Sequence, residues 1–281
     1  YEPSMILAIM PEILILVLAG AVLALDALWP QEKRRSLGWL TAAGLGVIFL
    51  FTVTMARPEA EPRLLFGGMI RDDWLGFAFR LVFLFGAAIT ALFAMDFEPI
   101  GRKGEFYVLM LVSTLGMNFM ASAGDIIMLY LAIETTSIPL YILAGFVVDD
   151  EKSTESGFKY LLFGAMTSAV MLYGFSLLYG FAGTTNLYAL SEKLNTLPLP
   201  VLIASLLLVL VGFSFKVSAV PFHFWAPDVY EGSPTPVAGF LSTASKAAGF
   251  AVLVRVLLVA FPQVIPSWQA IISALAVATM T

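Results

Sequence analysis

The chain has 281 residues, 60% hydrophobic and only 12% charged, with a net charge of −5 and a mean hydropathy of +0.92. A water-soluble domain carries about 25% charged residues, so this composition leaves too little polar surface for a globule in water and makes the bilayer the expected solvent. With no cysteine and a single histidine, His223, thiolate-held iron–sulfur clusters, bis-histidine haem and a structural zinc site are excluded within these residues.

A hydrocarbon core about 30 Å thick needs about 20 apolar residues in a helix rising about 1.5 Å per residue. The first such run, 6–28, has no basic n-region, is too long for a signal peptide and contains Glu12, so it reads as a span. Because the sequence opens at Tyr1 and not at Met, a few preceding residues are expected. Further spans are predicted near 37–56, 75–95, 105–121, 125–148, 157–181, 200–220 and 237–260. A ninth begins near Trp268 and is cut off inside an apolar run, so the natural protein is expected to continue. Lipid-facing backbone must pair within its own segment, and these runs are continuous where a barrel would show short alternating strands. The fold class is therefore all-α, a polytopic transmembrane helix bundle.

The connections carry turn residues and charge, as in "WPQEKRRS" at 29–36, "FEPIGRKGE" at 97–105 and "DDEKSTESG" at 149–157. Only 57–74 and 182–199 are longer, and neither reads as a folded domain. One set of alternate loops holds Lys33, Arg34, Arg35, Arg102, Lys103 and Lys152, against Arg57, Arg63, Arg71 and Lys193 in the other. This small excess predicts the first set in the cytoplasm and the N-terminus outside. No basic tract suggests nucleic acid. "GLGVIF" at Gly44 lacks the third glycine and flanking strand of a dinucleotide fingerprint, so no cofactor-binding residues are assigned.

From Pro200 to Tyr230 the apolar character persists for about 31 residues, about 46 Å as one helix and too long for an ordinary span. Pro221 lies inside it and cannot donate to the Val217 carbonyl. Two readings are open: a broken helix, 200–220 and then a short second piece carrying His223, Trp225 and Asp228; or a helix ending at Val220 followed by an interfacial loop. Irregular backbone at membrane depth needs protein or internal water around it, and transporters build ion sites there.

An ionised side chain at mid-bilayer costs about 2.5–3.5 kcal/mol on insertion scales. Glu134 is central in the fifth span, Lys246 in the eighth, and Lys216 deep in the seventh, five residues before Pro221. Lys159 is near the start of the sixth, where its stem can also snorkel. Glu12, Asp26, Arg80 and Arg255 lie toward span ends and are expected at the interface. Two lysines, a glutamate and a histidine at depth, with nothing redox-active beside them, point to a proton path. Burial disfavours whichever form is charged and a nearby opposite charge favours it, so changing the company of such a group moves its proton. Histidine exchanges protons near neutral pH. A structural ion pair or packing role is the alternative for Glu134 and Lys246. Ser214, Ser218, Thr243 and Ser245 read mainly as packing residues that can also orient water.

The stretch "GFSFKVSAVPFHFWAPDVYEGSPTPVAGFLSTASKAAGF" at 212–250 closely resembles the signature of the proton-translocating, antiporter-like membrane subunits of respiratory NADH–quinone oxidoreductase, relatives of Mrp-type cation/proton antiporter subunits. "LAIETTSIPLYIL" at 131–143 resembles the glutamate motif of the same family. The resemblance implies fourteen helices containing two inverted five-helix repeats, each with a broken helix. It divides this chain into three N-terminal spans at 1–104, the first repeat at 105–260 and the start of the next helix at 261–281. It further implies that Glu134 pairs with Lys216, that Lys246 connects toward the middle of the protein, and that His223 and Lys159 belong to the proton pathway. NADH, FMN, iron–sulfur clusters and quinone are then expected in partner subunits. The partners are other membrane subunits, including neighbouring antiporter-like ones, in a bacterial plasma membrane. An antiporter subunit without a redox partner and a purely structural membrane subunit are the rival readings.

Overall fold

The computed structural model describes residues 3–195 and 197–281; Tyr1, Glu2 and Thr196 lie outside them. Among the described residues nine helices are long and apolar enough to cross a membrane, in agreement with composition. They are α1 (Pro3–Leu28), α2 (Ser36–Met55), α3 (Trp74–Ala94), α5 (Gly104–Ser122), α6 (Ile126–Ala144), α7 (Glu151–Ala182), α9 (Leu199–Val217), α11 (Thr235–Ala260) and α12 (Ile265–Met280). Short helices α4 (Glu98–Gly101), α8 (Leu187–Leu194) and α10 (Trp225–Gly232) connect them. The predicted fifth, sixth, seventh and eighth spans are thus α6, α7, α9 and α11.

The most enclosed span is α5, packed against α1, α3 and α6. On the other side α7 packs against α6, α9 and α10, and α11 fills the space between α3, α5 and α9. Glycine sets one of these approaches: a Cβ on Gly157 of α7 would come within 2.8 Å of the Gly145 Cα. Any side chain there would push α6 and α7 apart.

The structure departs from expectation at several places. The 57–74 connection contains an antiparallel hairpin, β1 (Arg63–Leu65) paired with β2 (Ile70–Asp72), turned by Gly67 and Gly68 at φ 69° and 92°. The other long connection contains α8, capped by the Asn186 side chain on the Tyr188 and Ala189 amides. Within the polar 149–157 segment, residues 151–157 are not a loop but the first turns of α7. Asp150 caps its end on the Lys152 amide, and the charged turns continue the helix out of the apolar layer.

Glu12, Arg80 and Arg255 are buried inside the bundle. Glu12 and Arg80 form a 2.8 Å ion pair between α1 and α3, each under 10% exposed. Arg255, 3% exposed, grips Asp73 with two 2.8 Å bonds and also donates to Tyr188 Oη at 3.0 Å and the Ala121 carbonyl at 2.8 Å. Their partners lie far away in sequence, so position along the span could not disclose what holds them. Asp26 does sit at a helix end, beside Arg34 and the Gly104 amide.

Candidate functional site

The long apolar segment is broken, three residues earlier than Pro221 alone suggests. α9 ends at Val217, and Ser218 takes the left-handed conformation at φ 56°. Proline disfavours helical geometry in the residue before it, so the chain leaves the helix before Val220. The Ser218 and Ala219 amides close the end on the Phe215 and Ser214 carbonyls. The segment then turns through 218–224 and re-enters a helix at Trp225. His223 therefore lies in the turn between the two pieces, while Trp225 and Asp228 lie in the second piece as expected.

Lys216 stands in the last turn of α9, 4% exposed, and donates to Ser137 Oγ of α6 at 2.7 Å. Ser137 donates in turn to the Ile133 carbonyl one turn back, which leaves its oxygen free to accept from the lysine. Glu134 sits one turn from Ser137 and accepts a hydrogen bond from Ser168 of α7, whose hydroxyl also lies 3.4 Å from Tyr130 Oη. Glu134, Ser137, Tyr141, Ser168 and Lys216 line one small cavity of about 10 Å³, partly open at its side. That volume is at the lower limit for a single water. The expected direct Glu134–Lys216 ion pair is absent among the described residues. The two charges instead face one small space, each held by a serine.

Lys246 lies in α11 directly after a π-helical turn, Leu241–Ser245; such turns commonly occur at functional positions. Its Nζ donates to the Lys216 carbonyl at 3.2 Å and to Ser218 Oγ. The two lysines are thereby joined through the broken end of α9. Ser218, read from sequence mainly as a packing residue, is a polar link in this chain; Ser137 and Ser168 were not singled out at all. The only sequence signal for either was position: Ser137 falls three residues after Glu134, on the same helix face.

Among the described residues His223 makes no hydrogen bond to either lysine. Its Nδ1 is buried without a hydrogen-bond partner among the described residues, and its ring lies against Phe224 with centroids 4.5 Å apart. Lys159 is set apart as well, half-exposed in an ion-pair cluster that ties α7 to α10. It contacts Glu155 at 2.6 Å and Asp228 at 2.5 Å, beside a Lys152–Glu231 pair at 2.7 Å. The structure thus unites Glu134, Lys216 and Lys246, places His223 at the break, and separates Lys159. Among the described residues no group of three or more His, Cys, Asp or Glu side chains could hold a metal.

Residues 123–281 match the family described as "NADH:quinone oxidoreductase/Mrp antiporter, TM". The chain is 44% identical over 272 residues to "NADH-quinone oxidoreductase subunit N" of Moorella thermoacetica, covering 96% of this chain and 56% of that relative. Among solved structures it resembles a chain of respiratory complex I from Thermus thermophilus, with 34% identity, a TM-score of 0.74 and coverage of 87% of this chain and 52% of the other. A chain of the Mrp complex from Dietzia sp., 22% identical with a TM-score of 0.75, shares the fold, covering 92% of this chain and 29% of that one. The chain therefore spans little more than half the length of the curated relative and of the Thermus chain.

Proposed function

The chain belongs to the NADH:quinone oxidoreductase/Mrp antiporter transmembrane family, and we propose that it is part of a proton-translocating membrane subunit of a respiratory NADH–quinone oxidoreductase. The observation that carries this reading is the row of polar contacts, Ser168–Glu134 facing Ser137–Lys216 across a small space and Lys216 joined to Lys246 and Ser218, inside a bundle whose other contacts are largely apolar. A charge is retained at such depth only where it does work or is firmly paired. These charges are held by hydroxyls and a carbonyl, contacts that a change in side-chain position can exchange.

In this reading Glu134 controls the electrostatic surroundings of Lys216. Approach of the carboxylate across the small cavity favours the protonated lysine, and its withdrawal favours release. The released proton passes toward Lys246 across the broken end of α9, with His223, in the turn at the break, as a further member of the path. Residues 105–260 act as one five-helix unit, with 1–104 packed beside it. Redox chemistry takes place in partner subunits that carry NADH, FMN, iron–sulfur clusters and quinone. Lys159 serves the α7–α10 ion cluster in this account and not the central path. Identity to subunit N relatives, which exceeds that to the Mrp chain, favours the redox-linked member of the family over a free-standing antiporter.

The test is proton uptake driven by NADH oxidation in vesicles holding the assembled complex. Lys216→Ala is expected to lower protons moved per NADH oxidised while the variant subunit remains in the complex. Undiminished pumping with that subunit present rejects the assignment.

A further inference from the structure

One aromatic side chain at the helix break contacts Lys246 directly and is linked through two further rings to the space shared by Glu134 and Lys216. Trp225, the first residue of α10, is buried and stacks on Tyr160 of α7, with centroids 4.4 Å apart and planes at 12°. Tyr160 meets Tyr141 edge-on at 4.7 Å, and Tyr141 lines the cavity shared by Glu134 and Lys216. The Lys246 ammonium lies 4.5 Å from the Trp225 ring centroid, inside the range of about 6 Å in which a ring quadrupole attracts a cation.

Its other contacts are with neutral groups, Ser218 Oγ, the Lys216 carbonyl and the Tyr230 ring at 6.0 Å, and the charge that acts on it is the like-signed Lys216 side chain. Among the described residues no carboxylate forms an ion pair with it. The indole Nε1 is buried without a hydrogen-bond partner, whereas a buried tryptophan N–H usually finds one. What this position uses is the ring face.

We propose that Trp225 is a positioning residue of the proton pathway, its ring face holding the Lys246 ammonium against Ser218 and the Lys216 carbonyl at the helix break. The inference rests on the reading of Lys246 as a proton carrier. α10 is itself fastened to α7 by the Lys152–Glu231 and Lys159–Asp228 pairs and by Ser156, which contacts the Val229 carbonyl and Ser233. A movement of α7 is therefore carried through α10 to the ring beside Lys246.

The experiment compares Trp225→Leu, Trp225→Phe, Lys246→Ala and the double variant Trp225→Leu/Lys246→Ala in the assembled complex, with subunit content checked in each. Leucine keeps apolar bulk but removes the ring; phenylalanine keeps a ring face and drops the unpaired N–H. Lys246→Ala defines the part of NADH-driven pumping that depends on this lysine. Trp225→Leu is expected to remove at least half of that part, the scale of a lost cation–π contact at a desolvated site. Trp225→Phe retains most of it, and the double variant is no worse than Lys246→Ala. Full pumping in Trp225→Leu, equal damage from Phe and Leu, or a further loss in the double variant would overturn the inference and leave the function proposal standing. Full pumping in Lys246→Ala would instead remove the premise, and both would fall.

Discussion

Ser218 shows most clearly how one residue joins fold to chemistry. Its left-handed backbone costs a non-glycine residue about 1–2 kcal/mol, yet its hydroxyl accepts from Lys246. Ser218→Gly separates the two effects. Glycine relieves the backbone but also removes an acceptor of the Lys246 ammonium, so the two stability effects offset and the melting temperature of the complex is expected to change little while pumping falls; a large loss of both contradicts this division. Ser137→Ala has no such offset. It leaves the buried Lys216 ammonium without its hydroxyl partner, at a cost of about 1–3 kcal/mol. A melting temperature equal to that of the parent would show that Lys216 finds another partner at no cost.

At the scale of elements, the spans were legible because nothing but a bilayer suits such continuous apolar runs, and the break because Pro221 lies inside a segment too long for one span. What sequence did not disclose depends on distant partners. Arg255 reads as a span-end charge until Asp73, 182 residues away, is seen clasping it. Asp73 also caps α3 on the Gly76 amide, so one carboxylate orients the start of α3 and neutralises an arginine of α11. Asp73→Ala removes both roles and strands a buried guanidinium, with an expected cost of about 3–5 kcal/mol. Differential scanning of the purified complex should register it, and an unchanged transition would mean that Tyr188 and Ala121 suffice for Arg255. The β1–β2 hairpin was missed because three-residue strands give too little alternation to read, although "FGG" at 66–68 was a usable turn signal. The start of α7 was missed because its charges read as loop, while Asp150 and the pairing to α10 make it helix.

Over the whole molecule, Glu134, Lys216 and Lys246 were identified as deep charges by the cost of placing them in hydrocarbon. Their arrangement was not legible, since the contact between the carboxylate and Lys216 is replaced by two serines and a cavity. His223 and Lys159 entered on resemblance as much as on position, and the structure gives them different surroundings: a place at the break for the first, an ion cluster for the second. The bundle is thus an apolar scaffold around a short polar thread between α6 and α11. α12 stands apart from it, with most of its surface uncovered by the rest of the chain.

Glu134→Gln tests that thread most directly, because it preserves side-chain shape and removes only the charge facing Lys216. The measurement is protons translocated per NADH oxidised by the reconstituted complex, with assembly verified. The expected result is a clear fall in that ratio while the subunit stays in place. A ratio equal to that of the parent would contradict a proton path governed by this carboxylate.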